Sequence, residues 1–161
     1  MCTYITEKIA VEGSAKGASG WIKVTEGSGK VGTIGYCSGG RQSFLSAVSL
    51  DLDAAVDCYG AFISGEVPEG HPLKVGPILD KTPNLSCPLL GLFGAEDKYP
   101  SPEHVAELEE ALKANGKTYE FHSYPGAGHS FFAVDRPAYR PEAAMDGWNK
   151  IFTFYARYLT T

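Results

Sequence analysis

The sequence predicts an α/β fold of about four mainly parallel strands flanked by helices. Short apolar runs of strand length recur at 30–36, 54–59, 88–93 and 118–124. The segments between and after them carry apolar residues at helical spacing. Alternation of this kind predicts a parallel sheet, right-handed crossovers and helices on both faces. The chain has 161 residues, which predicts a single domain over 1–161.

The elements follow in order. Val11, Ala15, Ala18 and Ile22 have helical spacing, which Gly13, Gly17 and Gly20 weaken by about 1 kcal/mol each. The run 30–36 (KVGTIGY) is apolar and ends in glycines, as a buried strand does. Over 41–52, Phe44, Leu45, Val48 and Leu52 fall on one helix face. A second strand follows at 54–59 (AAVDCY). The stretch 60–87 is rich in Gly and Pro and predicts at most a short helix near 77–81. A connection that long is expected to serve function or to act as a lid. The run 88–93 (PLLGLF) is a third strand. Ser101-Pro102-Glu103 then supplies an N-cap, a proline for the first helical position and an early acid. Val105, Leu108, Ala111 and Leu112 form that helix's buried face, and Asn115-Gly116 ends it. Residues 118–124 make the fourth strand. The longest helix is predicted over 141–159, with Ala144, Trp148, Ile151, Phe152, Tyr155 and Leu159 on one side.

Composition narrows the function classes. Charged residues are 20% and the hydrophobic set 43%, which excludes intrinsic disorder. No apolar run approaches membrane-spanning length, and 1–20 lacks the basic and apolar regions of a secretory signal. The formal charge of −5, with no basic stripe, argues against a nucleic-acid partner. The four cysteines are Cys2, Cys37, Cys58 and Cys87. They form no CxxC pair and no zinc-spaced Cys/His cluster, which predicts free thiols in a reducing, cytoplasmic compartment and no metal site. Cys58 and Cys87 are expected to act as small core hydrophobes.

Cys37 is set apart by its neighbours. Gly35-Tyr36-Cys37-Ser38-Gly39-Gly40 joins the first strand to a helix, which is the nucleophile-elbow pattern with sulfur in place of oxygen. The turn closes only if the residues two positions to either side are small. The helix that follows aims its free N–H groups and positive dipole end at the thiol. That favours thiolate and offers the backbone N–H of Ser38 as an oxyanion donor. Composition alone gives about 0.05 chance matches to G-x-C-x-G in a chain like this one. An elbow nucleophile needs an acid and a histidine, in that chain order. Asp97 or Glu96 follows the third strand, with Asp97 preferred, and His129 follows the fourth in the glycine-rich loop 125–129. Both loops then open on the edge of the sheet where Cys37 sits. His71 in a loop, His104 in a first helical turn and His122 in a strand read as surface or packing residues. Arg41 reads first as a helix-face residue; with Tyr36, Phe131 and Arg136 it completes the candidate substrate contacts.

These motifs resemble the dienelactone hydrolase family of α/β-hydrolases. The likeness runs through VGTIGYCSGGR, AAVDCYG, CPLLGLFGAEDKYPSPE, YEFHSYPGAGHSFF and RPEAAMDGWNKIFTFYARYL, from about 31 to 159. It implies a reduced α/β-hydrolase fold with the elbow after the first strand. It also implies a Cys37–His129–Asp97 triad that hydrolyses a small ester or lactone through a thioester, without a cofactor. The chain departs from the family pattern in two places. Only 36 residues precede Cys37, so the upstream strands that supply a second oxyanion N–H and a glutamate partner for the thiol are expected to be absent or replaced. The position four residues past the triad histidine, an arginine in lactone-hydrolysing members, is Ala133, with Arg136 the nearest arginine. Two competing readings are a non-enzymatic half-domain serving as an interaction module, and a redox sensor built on Cys37. An open side to the sheet further predicts that residues 3–11 fold across its edge or that two chains pair as a twofold dimer; the dimer is favoured.

Overall fold

The computed structural model describes residues 29–71 and 74–160. Cys2, the segment 3–11 and the helical spacing from Val11 to Ile22 lie outside them. Four strands form one parallel sheet in chain order: β1 (Gly32–Tyr36), β2 (Ala54–Cys58), β3 (Leu89–Gly94) and β4 (Tyr119–Tyr124). The register pairs Gly32 with Ala54, Ala55 with Leu89 and Leu89 with Tyr119. Because every step moves the same way across the sheet, right-handed crossovers place all connecting segments on one face. Helix α1 (Ser38–Ser49), a 3-10 turn (Leu79–Asn84) and helix α2 (Pro102–Ala114) are those connections. Helix α3 (Pro141–Leu159) follows the last strand and covers the other face.

Two apolar clusters result. On the crossover side Phe44, Leu45, Val48, Leu108 and Leu112 pack against Ala55 and Leu89. On the other side Ala144, Ile151 and Phe154 of α3 pack against Val56, Cys58, Leu90 and Leu92. The alternation of Ala55 and Leu89 with Val56 and Leu90 is the period of a strand buried on both faces. β2 and β3 are buried along their whole length, as central parallel strands must be. Cys58 and Cys87 are buried in these clusters, as their reading as small hydrophobes requires.

Element boundaries hold with three informative differences. Helix α1 begins at Ser38 rather than 41, directly behind Cys37, so its first N–H groups lie at the elbow itself. The short helix expected near 77–81 is a 3-10 turn at Leu79–Asn84, with Pro83 inside it. Helix α3 buries Ala144, Gly147, Ile151 and Phe154, whereas Trp148 and Phe152 are 40% and 64% exposed. The small residue at Gly147 lets Phe132 seat against the helix: a Cβ there would lie 2.4 Å from the Phe132 ring. Trp148 meets the same ring edge-on at 5.7 Å from the rim of the buried stripe.

The long 60–87 connection is anchored at both ends. Arg41, only 7% exposed, donates from Nε to the Phe62 carbonyl at 3.1 Å and from an Nη to the Gly76 carbonyl at 2.8 Å. Ile78 N–H donates to Ile63 O at 2.9 Å, and Ser86 N–H to Ala47 O at 3.0 Å. The described parts of the connection, 60–71 and 74–87, are therefore tied to α1 and to each other.

Asp57 on β2 is fully buried, and its Oδ1 accepts from Gly60 N–H at 2.7 Å while Oδ2 has no partner. Burial lifts its carboxyl from 3.8 to about 7, against the opposing Gly60 hydrogen bond. The folded state therefore binds a proton that the unfolded chain releases above about pH 4, so stability from this group falls between about pH 4 and 7. Asp57→Asn is expected to flatten that decline, seen as a smaller difference in thermal midpoint between pH 5 and pH 8 than the wild type shows. An unchanged difference would mean that Asp57 is ionised throughout.

Candidate active site

Strand β1 delivers Cys37 into a backbone conformation that side chains avoid. Its φ of 58° and ψ of −124° aim the side chain out of the sheet edge. Backbone bonds hold it there: Cys37 N–H donates to Cys58 O at 3.0 Å, and its own carbonyl accepts from Gly40 N–H at 2.9 Å. The glycines are needed for close approach. A Cβ on Gly35 would lie 1.8 Å from Gly39 O, and one on Gly40 would lie 2.2 Å from Asp57 Oδ1. The Cys37 side chain is exposed, unlike those of Cys58 and Cys87.

The loops after β3 and β4 bring two further groups to this point. Asp97 Oδ2 lies 2.8 Å from His129 Nδ1, and His129 Nε2 lies 3.0 Å from Cys37 Sγ. Asp97 is oriented from its other oxygen, which accepts from Tyr99 N–H at 2.9 Å. The Asp97 side chain is 2% exposed and the His129 side chain 33%. Glu96, the alternative acid, is exposed and does not reach the imidazole. The Cys37 thiol is held below its usual range mainly by the hydrogen bond to His129, which outweighs burial; the Ser38 N–H and the Arg136 charge act the same way. At His129 burial opposes the charged form, but hydrogen bonds to Asp97 and Cys37 outweigh it and lift the imidazole from 6.5 to about 10. Each contact thus favours the charged form of both groups, the thiol shifted down and the imidazole up.

Beside these groups opens a cavity of about 470 Å³. Cys37, Ser38 and His129 line it together with Phe62, His71 and Tyr99. Arg41 also lines it, although two of its donors serve the 60–76 backbone. The remaining expected contacts lie elsewhere. Phe131 is fully buried in the α3-side core, against Tyr59 and Tyr124. Tyr36 packs edge-on to Phe132 at 5.3 Å. Neither lines the cavity, because each points into the layer beneath α3. Arg136 is exposed on the loop past His129 and does not line the cavity either. His71 is a cavity residue that a mid-loop position did not reveal; its ring sits 5.3 Å from Phe62. The other histidines have structural partners. His104 Nδ1 accepts from Ser101 N–H in the α2 capping box, and His122 pairs with Glu120 at 2.8 Å. Among the described residues no cluster of three or more His, Cys, Asp or Glu is placed to hold a metal ion.

Gly35→Ala places a methyl group inside the backbone of the first turn of α1. It is expected to cost at least about 3 kcal/mol, a fall in Tm on the order of 10 °C by calorimetry. A near-wild-type Tm would show that the elbow can shift without loss.

Comparison with known proteins places this geometry in a family. The dienelactone hydrolase family model matches residues 6–159. A Methylorubrum extorquens protein named "Putative carboxymethylenebutenolidase" is 34% identical over 143 residues, 85% of this chain and 48% of that protein. A Bradyrhizobium protein named "Probable 2-oxo-3-(5-oxofuran-2-ylidene)propanoate lactonase" is 31% identical, over 78% of this chain and 49% of its own. The crystal structure of a Klebsiella pneumoniae protein named "Putative Dienelactone Hydrolase" superposes with a TM-score of 0.69 at 34% identity, over 79% of this chain and 52% of that one. The chain thus spans about half the length of the relatives it matches. A family match over nearly the whole sequence, with close relatives of the same kind, makes this chain a member of the dienelactone hydrolase family.

Proposed function

We propose that this chain is a carboxylic ester hydrolase of the dienelactone hydrolase type, acting on a small ester or lactone through a cysteine acyl-enzyme. The observation that carries the reading is the continuous contact from Asp97 to His129 to Cys37, at 2.8 and 3.0 Å, beside a cavity large enough for a small substrate. The names of the relatives, carboxymethylenebutenolidase and lactonase, support the substrate class.

In this mechanism the Cys37 thiolate attacks the acyl carbon, and the carbonyl oxygen becomes an oxyanion. Ser38 N–H, already directed at the sulfur, is the donor within this chain for that charge. The His129 imidazolium gives its Nε2 proton to the departing alkoxide as the thioester forms. Neutral His129 then takes a proton from water, the hydroxide adds to the thioester, and collapse releases the carboxylic acid and restores the thiolate. Asp97 accepts from Nδ1–H throughout, fixing the ring and stabilising its cationic form. The Arg136 charge acts on the thiol and Arg41 lines the cavity, while Tyr36 and Phe131 act on the site through packing.

The same reading includes a single domain in a reducing cytoplasm, where a low-pKa thiol survives, and a twofold dimer. Two observations support the dimer. Among the described residues β1 pairs only with β2, and Met145, Trp148 and Phe152 leave apolar surface exposed on α3. No helix among the described residues is long and apolar enough to cross a membrane.

Hydrolysis of p-nitrophenyl acetate is expected to vanish with Cys37→Ala and to fall about 10²- to 10⁴-fold with His129→Ala. A smaller loss is expected for Asp97→Asn, and Glu96→Gln should have little effect. Wild-type protein without Cys37-dependent turnover would favour the interaction-module reading. Limiting iodoacetamide followed by mass mapping is expected to label Cys37 first, because Cys58 and Cys87 are buried with thiols pushed upward; earlier labelling of either would sink the thiolate assignment. Light scattering across a wide concentration range is expected to show the dimer mass, and a monomer at high concentration would remove the dimer from the reading.

A further inference from the structure

Four non-glycine residues among those described hold a positive φ: Cys37 at 58°, Tyr59 at 45°, Phe62 at 62° and Ser130 at 67°. Strained backbone of this kind persists only where surroundings over-determine it, and it gathers at functional sites. Cys37 is the elbow, Ser130 directly follows His129, and Phe62 lines the cavity. Tyr59 does not line the cavity, so its strain needs another account.

Its surroundings supply one. Tyr59 directly follows β2, and its N–H donates to Leu92 O at 2.9 Å. The Asp57 carboxylate reaches forward to Gly60 N–H at 2.7 Å and closes the turn that contains Tyr59. Gly60 cannot be replaced without conflict, since a Cβ there would lie 2.5 Å from Arg41 N. The turn thus directs the Tyr59 ring, 3% exposed, to the side of the imidazole. The ring centroids of Tyr59 and His129 are 5.1 Å apart at 65°, an edge-to-face contact. Phe131 packs edge-on at 5.3 Å, and the Phe132 ring lies tilted at 6.2 Å. His129 is therefore bounded by Asp97 at Nδ1, Cys37 at Nε2 and Tyr59 across the ring.

We propose that Tyr59 is the positioning residue of His129, and that the strained Asp57–Gly60 turn exists to set its ring there. Asp97 alone leaves the imidazole free to swing about the Nδ1 contact. The Tyr59 ring closes that arc and keeps Nε2 on the sulfur. The inference rests on the Cys37–His129 pairing, and its test does not require ester turnover.

The test is the pH dependence of Cys37 alkylation by iodoacetamide, followed at Cys37 by mass spectrometry. Five proteins are compared: wild type, Tyr59→Leu, Tyr59→Phe, His129→Ala and the Tyr59→Leu/His129→Ala double variant. Tyr59→Leu is expected to move the midpoint upward by about one pH unit and to slow the reaction at pH 7 about fivefold. Tyr59→Phe, which keeps the ring, should follow the wild type. Combining Tyr59→Leu with His129→Ala should add nothing to His129→Ala alone, because the tyrosine acts only through the imidazole. If Tyr59→Leu does not fold, Tyr59→Met supplies similar volume without the ring and carries the same expectation. A profile that shifts with His129→Ala but not with Tyr59→Leu or Tyr59→Met would overturn the positioning role alone. A shift equal in the presence and absence of His129 would assign Tyr59 to packing and overturn it as well. A profile indifferent to His129→Ala would overturn the pairing, and this inference with it.

Discussion

The left-handed turn at Cys37 is the constraint from which the site follows. It depends on Gly35 having no side chain, because a Cβ there would lie 1.8 Å from the Gly39 carbonyl oxygen. It is held because Cys37 N–H bonds to the end of β2 and the Cys37 carbonyl receives the first turn of α1. A non-glycine residue in this region costs about 1–3 kcal/mol, which the buried sheet and the α1 packing offset. With the turn set, the sulfur stands beyond the sheet edge with helix N–H groups behind it. Both neighbouring loops then need only to extend from their strands to meet it.

The strain is not confined to Cys37. Tyr59, Phe62 and Ser130 share it, and each is fixed by a backbone bond: Tyr59 N–H to Leu92 O, the Phe62 carbonyl to Arg41, and the Ser130 carbonyl to Ala133 N–H. A rigid parallel sheet provides the anchors, since β2 and β3 are buried throughout. Rigidity there lets irregular backbone at the strand ends keep one geometry, so the charged pair meets at hydrogen-bond distance rather than by chance.

Arg41 shows how one residue joins fold and site. Its burial lowers the guanidinium's proton affinity somewhat, yet two carbonyls of the long connection satisfy it. By bonding to the Phe62 and Gly76 carbonyls it fixes one residue that lines the cavity and one beyond it. A residue whose sequence position suggested a helix face thus also braces described parts of the connection.

The sequence by itself determined the sheet, because strand-length apolar runs buried on both faces leave few other arrangements, and it determined the elbow, because glycines at fixed spacing around Cys37 serve one backbone turn. It also put Asp97 and His129 on the same sheet edge, since both follow parallel strands. Only the tertiary structure decided between Asp97 and Glu96: the choice depends on which side chain the 94–97 turn faces inward, and adjacent residues have nearly the same sequence signal. Tertiary structure also left Trp148 and Phe152 partly exposed on α3, and sent Tyr36 and Phe131 into the core beneath it. His71 reached the cavity and Tyr59 reached the imidazole through a loop clamp and a strained turn. These are contacts between residues far apart in the chain, which periodicity and local spacing do not encode.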